Sequence, residues 1–281
     1  MKVVFGIDIG GSTTKIVIFD EDRRILDKLQ IEATEQTASL YSAIESVLQK
    51  NSLKFEQVLR FILTGVGAAS IIEDIHNIPT CKVKEFEAIG FGGLILSGLS
   101  EALVVSVGTG TAFVRADSEK SVHIGGSGIG GGTLLGLSKE LFSQDDIETI
   151  MAIAGKGDLK NVDLSLGEIS RNSDISSLPI DATASNFGKI KNTASGSDMA
   201  LGLMNMIFQT IGMLSVFACM DTAQKNVVVT GSVATLPQAK RFLDEVGAFY
   251  KLNFIIPKDA MFATAIGASA FYFDELEQEI K

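Results

Sequence analysis

Cysteine is scarce in this chain: Cys81 and Cys219 are the only two in 281 residues. That argues against a disulfide framework and leads to the expectation of a reducing, cytoplasmic setting. Positive charge is short as well. Twenty-four Lys and Arg face 34 Asp and Glu, a formal net charge of −10. With no basic stripe to offset it, a nucleic-acid-binding face is not expected. An acidic enzyme can still bind an anion where its cleft is locally positive. No basic n-region and apolar h-region precede the first strand, so no signal peptide is expected. Long apolar runs are lacking apart from residues 201–220, LGLMNMIFQTIGMLSVFACM, whose length approaches a membrane span. Asn205 and Gln209 interrupt that run, and its Gly, Ala and Ser suit close packing. It therefore reads as a buried helix, and no membrane is expected. Tryptophan is absent, which by itself excludes no class.

Glycine is plentiful, with 28 residues against a usual share of about 7 %. The most informative stretch is VFGIDIGGSTTKIV at 4–17. An apolar run leads through Asp8 into Gly10-Gly11, three hydroxyl residues and Lys15, and then the apolar run resumes. This predicts a buried strand, a tight turn and a second antiparallel strand. The glycines leave the turn amides open to a phosphate. Ser12, Thr13, Thr14 and Lys15 offer hydroxyls and one fixed positive charge. Asp8, at the strand end, is placed to hold Mg²⁺ directly or through water. A hairpin of this kind is neither a Walker loop nor a Rossmann fingerprint.

The pattern recurs. ALVVSVGTGTAFV at 102–114 runs through Gly108–Thr111 into another strand, and NVVVTGSV at 226–233 ends a third in Thr230-Gly231-Ser232. Together they resemble the superfamily of actin, the heat-shock ATPases and the sugar kinases. That resemblance implies an α/β, two-domain, actin-like ATPase (ribonuclease H-like) fold with an interdomain ATP cleft, each domain supplying a phosphate hairpin.

The pattern divides into an N-terminal domain at 1–100 and a C-terminal domain at 101–281. After the first hairpin come a strand near 24–32, a helix near 36–51, a strand at 60–65 and a small-residue helix at 86–100. The second half predicts a strand near 121–125, helices at 131–143 and 146–154, and a polar, loop-rich region at 156–196. A long helix at 197–222, strand 226–230, helix 235–248, strand 252–256 and helix 261–277 follow.

The run from Gly125 to Leu137, GGSGIGGGTLLGL, holds too many glycines in its first half for regular structure. Its second half starts a helix whose N–H groups and dipole can hold a phosphate.

Phosphoryl transfer to an alcohol needs a carboxylate that accepts the alcohol's proton. In VKEFEAIG, Glu85 and Glu87 share a face if the backbone is extended and diverge by about 200° if it is helical. Glu85 fits the role, at a strand–helix junction between the domains. The chemistry alone does not separate that role from a solvated glutamate at a helix start.

VKEFEAIG, VVSVGTGTA, GGSGIGGGTLLGLS and LPIDATASNFGKI (178–190) together resemble type II pantothenate kinases, along essentially the whole chain. D-x-T-A-S-x-F-G is the most specific piece. The resemblance implies ATP- and Mg²⁺-dependent phosphorylation of pantothenate in a homodimer, with the apolar helix at 197–220 as candidate interface. Glu85 would be the base, and Gly10, Gly11, Ser12, Thr13, Thr14 and Lys15 would hold the phosphates. Thr109 would lie between nucleotide and substrate. Gly131, Gly132, Thr133, Leu134 and Leu135 would line the nucleotide, Ile147 would lie near adenine, and Ser232 would face the adenosine. Where the family usually has an arginine, this chain has His123, a shorter side chain whose free imidazole is charged only below about pH 6.5. Two other readings stand beside this one: an ATP-binding sensor with weak catalysis, and an ATP-driven activator of a 2-hydroxyacyl-CoA dehydratase. The activator would need thiolates to share an iron–sulfur cluster.

Overall fold

The computed structural model describes residues 1–32, 36–170 and 179–280. The first half contains β1 (Val3–Ile9), β2 (Thr13–Asp20), β3 (Ile25–Glu32), α1 (Gln36–Lys50), β4 (Val58–Thr64), β5 (Thr80–Lys82) and α2 (Glu85–Ser97). The second opens with β6 (Glu101–Val107), β7 (Thr111–Asp117), β8 (Ser121–Ser127), α3 (Gly131–Phe142), α4 (Ile147–Ala154), β9 (Leu164–Ser165) and α5 (Leu166–Ile169). It closes with β10 (Thr183–Ser185), α6 (Gly196–Cys219), β11 (Asn226–Thr230), α7 (Pro237–Tyr250), β12 (Asn253–Ile255) and α8 (Ala263–Ile280).

The two large sheets repeat one plan. The first runs β3-β2-β1-β4-β5 and the second β8-β7-β6-β11-β12. In each, three antiparallel strands are followed by two parallel ones. β1 is buried along its whole length, which is why it is apolar almost throughout instead of alternating. The likeness expected from two hairpins thus extends to two whole sheets, although the sequences of the halves have drifted apart.

The halves exchange helices. Side chains of α8, among them Ala265, Ile266 and Phe273, join a core with Val4, Val17 and Ile62 of the first sheet. Ile89 and Leu94 of α2 join a core with Val104, Val114 and Val228 of the second. Residue 100 therefore divides the chain by sequence, while α2 and α8 each pack on the other half's sheet. The two helices touch backbone to backbone: a Cβ on Gly92 would lie 1.9 Å from the Ala263 carbonyl oxygen, and one on Gly267 2.0 Å from that of Ala88. Small residues permit this approach.

α6 is the main core helix of the second half. Met204, Ile207, Phe208 and Ile211 are fully buried among residues of α3, α4 and α7. Ser195 and Asp198 close its N-terminus in a reciprocal capping pair. The core thus covers most of the helix expected at 197–220 as a dimer interface. Phe217, near its C-terminus, stays exposed. By length and composition α6 is apolar enough to cross a membrane, yet most of it is buried within the fold, as read from Asn205 and Gln209.

Two further expectations are corrected. Gly125 and Gly126 are part of β8, paired with Phe113 and Ala112. The sheet neighbour holds them extended despite their weak strand preference. The polar region at 156–196 contains the small β9–β10 sheet and α5. Its residues 171–178, including Leu178 of the family-like segment, lie outside the described residues.

Candidate active site

Each half presents a three-residue hairpin turn: Gly10-Gly11-Ser12 between β1 and β2, and Gly108-Thr109-Gly110 between β6 and β7. The turns meet across the cleft, with Ser12 Oγ 2.9 Å from Thr109 Oγ1. Gly10 N–H donates to the Thr13 carbonyl at 3.0 Å, closing the first turn. Lys15 is buried and donates to Thr13 Oγ1 at 2.9 Å. Thr14 is 1 % exposed and is paired with Ile9 on one side and Ile31 on the other, so it belongs to the core, in contrast to its expected place among the phosphate-binding residues.

Asp8 lies opposite Lys15 in the β1–β2 register and beside Thr64 of β4. Burial pushes its carboxyl up to about 6; Lys15 opposes the rise and Glu85 adds to it. Glu85 thus acts electrostatically on Asp8, although 77 residues separate them in the chain. Burial also raises the Glu85 carboxyl. α2 starts at Glu85, so the segment is helical there and Glu85 and Glu87 diverge. Glu87 pairs with Lys84 at 3.2 Å, leaving Glu85 as the carboxylate of this pair whose charge is felt at Asp8.

Two Thr-Gly corners end the central parallel strands, Thr64-Gly65 after β4 and Thr230-Gly231 after β11. Both glycines have positive φ, 87° and 93°. A Cβ on Gly65 would stand 2.6 Å from Asp8 Oδ1, and one on Gly231 2.3 Å from the Val107 carbonyl oxygen. Glycine is required at each on both counts. Thr64 and Thr230 each bury a side-chain hydroxyl with no hydrogen-bond partner. The sequence reading singled out neither this pairing nor Thr64; the repeated Thr-Gly was its visible signal.

The glycine-rich start of α3 is arranged differently from its sequence reading. The Gly131 amide donates to the Gly108 carbonyl at 2.8 Å, and that of Gly132 to Thr109 at 2.9 Å. These N–H groups bolt the helix to the second hairpin. Thr133 Oγ1 donates to the Gly128 carbonyl at 2.9 Å. Leu134 is fully buried, whereas Leu135 is half-buried. Gly131 abuts Val233, where a Cβ would lie 2.7 Å from its Cγ2, so α3 borders the corner that holds Ser232. Ile147 opens α4 after the cap residue Asp146 and packs partly into the second-half core.

His123 lies on β8, the strand next to β7. Its ring stacks on Phe86, centroids 3.9 Å apart and planes 9° from parallel. Phe86 is the residue after Glu85, so the stack braces the first turn of α2 against β8. Asp163 is a further buried carboxylate that the sequence did not single out. It accepts from Asn205 Nδ2 at 2.7 Å and from the Phe187 amide at 2.9 Å. Asn205 also donates to Thr183 Oγ1 at 3.1 Å. The D-x-T-A-S-x-F-G segment is fastened to α6 through this network.

Cys81 lies half-buried on β5 and Cys219 buried in the second-half core. Burial pushes the Cys219 thiol up, which opposes the thiolate that a cluster ligand requires. Among the described residues no group of three or more His, Cys, Asp or Glu gathers as a metal site.

A family model, Fumble, matches residues 100–268. The chain belongs to the Fumble family. A ROK family model also matches residues 4–90. This Fumble-family chain is 26 % identical over 279 residues to a type II pantothenate kinase of Bacillus cereus (strain G9842), covering 95 % of this chain and 98 % of that protein. With a type II pantothenate kinase of Staphylococcus haemolyticus it shares 29 % identity over 241 residues, 83 % of this chain and 85 % of the relative. Among solved structures, the activator of the 2-hydroxyisocaproyl-CoA dehydratase from Clostridium difficile, with bound ADPNP, superposes with a TM-score of 0.70. That match has 16 % identity and covers 99 % of this chain and 96 % of the other. A ROK family glucokinase from Streptomyces griseus, in complex with glucose and AMPPNP, gives 0.59 at 13 % identity, covering 96 % and 98 %. At such identities the structures speak for the fold alone: two related α/β domains of the actin-like ATPase and sugar-kinase type.

Proposed function

We propose that this protein transfers the γ-phosphoryl group of ATP to the primary alcohol of pantothenate, giving 4′-phosphopantothenate for coenzyme A synthesis. Full-length likeness to type II pantothenate kinases supports this reading. The observation that carries it is the half-buried Glu85 at the start of α2, whose charge is felt at Asp8 on the strand that leads into the first of two touching hairpins. In this reading Glu85 accepts the hydroxyl proton as the alcohol attacks. A carboxylate raised by burial suits that task better than a fully solvated one. Gly10 to Thr13, with Lys15 and Thr109, hold the phosphates. Thr14 supports the turn from the core behind it. The α3 start, from Gly131 to Leu135, forms the wall behind them, with Ile147 and Ser232 on the adenosine side.

Asp8 fits a Mg²⁺ ion: it is a single buried carboxylate, destabilised by burial as an anion, beside the phosphate hairpin. Mg²⁺ is ordinarily held by one or two carboxylates together with substrate phosphates and water. When bound, it would neutralise charge on the transferring group. His123 contributes on the acceptor side through Phe86. A cytoplasmic homodimer belongs to the same reading.

ADP release is to be followed with MgATP and either pantothenate, pantetheine or glucose as acceptor. Release that depends on pantothenate supports the kinase. ADP formation indifferent to every acceptor would instead favour the sensor reading.

A further inference from the structure

Val66 is an exposed apolar residue in an unusual place. It follows the Thr64-Gly65 corner, and its neighbours on both sides are pressed against the end of β1. A Cβ on Gly65 would meet Asp8 Oδ1 at 2.6 Å, and one on Gly67 would meet Ile9 Cγ2 at 2.4 Å. With both glycines pinned inward, Val66 between them turns outward and is 68 % exposed. Consecutive Cα atoms are about 3.8 Å apart, so this side chain stands one residue from a glycine that touches the Asp8 carboxylate. Phe86, next to Glu85, is also a large exposed apolar side chain, at 38 %. Glu85 is thus followed in the chain by an exposed apolar side chain, and the glycine that approaches Asp8 is followed by another.

We infer that Val66 contacts the acceptor, forming an apolar wall for the carbon skeleton beside the hydroxyl that is phosphorylated; this rests on the kinase reading above. An alcohol whose proton reaches Glu85 brings its neighbouring carbons alongside Asp8 and hence Val66. In pantothenate that neighbour is a quaternary carbon bearing two methyl groups, which valine can cover. A sugar would place hydroxyls there, and a hydrocarbon wall leaves them without partners. Val66 is therefore a specificity residue that favours a methyl-bearing alcohol over a polyol.

Steady-state kinetics on the full chain test this, with wild type assayed first on pantothenate and glucose. Val66→Asn should lower kcat/KM for pantothenate about tenfold or more, leaving KM for ATP and the melting temperature unchanged. Val66→Ala should give a smaller loss of the same kind. Ile95→Asn is the control: Ile95 is also exposed, but lies ten residues beyond Glu85, about 15 Å along the same helix, and should have no effect. Wild type without pantothenate turnover would sink the kinase reading and this inference together. Wild-type turnover with an unaffected Val66→Asn variant, or one whose KM for ATP rises in step, would overturn the inference alone.

Discussion

Ser12 and Thr109, 97 residues apart, touch hydroxyl to hydroxyl at 2.9 Å, joining the tips of two hairpins from opposite halves. Both side chains are exposed, so the contact adds little to stability. In the proposed reading its consequence is for binding, because the same two hydroxyls would hydrogen-bond the phosphate chain of ATP. A hydrogen bond to a charged group is worth about 1.5–3 kcal/mol. Thr109→Ala and Ser12→Ala are each expected to raise KM for ATP by about tenfold or more with little change in melting temperature. A fluorescent ATP analogue titrated into each variant checks this.

Asp8 gives the protein a pH signature. Its carboxyl rises from 3.8 unfolded to about 6 folded, so between those values the folded state holds more protons than the unfolded. Stability from the protonated form is complete below about pH 4 and is lost as pH rises through about 6. Asp8→Asn removes the buried charge and should stabilise the ligand-free protein at neutral pH by roughly 1–3 kcal/mol. The same substitution should abolish Mg²⁺-dependent tightening of ATP binding. Urea unfolding of wild type and Asp8→Asn from pH 4 to 8 isolates this group: the stability advantage of Asp8→Asn should grow as pH rises from about 4 to above 6, and an advantage that does not change with pH would contradict the assignment.

Asp163 serves a structural purpose. Asp163→Ala removes the acceptor of the Phe187 amide and one of the two acceptors of Asn205 Nδ2. The expected loss is about 2–4 kcal/mol, read as a lower urea midpoint. Asp163→Asn should lose less, because its carbonyl oxygen still accepts. Equal stability of wild type and Asp163→Ala would remove the network from the account.

His123 braces Phe86. Replacing it with alanine should lower turnover with pantothenate while leaving ATP affinity alone, since the ring stacks on the residue beside Glu85. His123→Phe keeps a stacked ring and should retain more activity than alanine. Identical kinetics for the two variants would assign His123 an effect through charge.

The hairpins were legible because glycine, hydroxyl and apolar residues write a tight turn locally, within a dozen positions. The helices fell within a few residues of expectation for the same reason, as strong periodic segments. The choice between Glu85 and Glu87 was not legible, since two residues of spacing reads either way until the first residue of α2 is known. Neither was the engagement of the Gly131 and Gly132 amides, which depends on a hairpin more than 20 residues earlier folding back onto the helix start. The exchange of α2 and α8 is likewise tertiary. Their small residues announce close packing and leave the neighbour unspecified.

The central claim is that Glu85 takes the proton of a pantothenate hydroxyl while the hairpins hold ATP. Single-turnover formation of 4′-phosphopantothenate, quantified by mass spectrometry for wild type and Glu85→Gln at saturating MgATP, tests it most directly. The account predicts product from wild type, a rate lower by about 10²–10⁴ in Glu85→Gln, and nearly equal ATP affinity in both. Full activity in Glu85→Gln, with the loss appearing in Glu87→Gln, would contradict it.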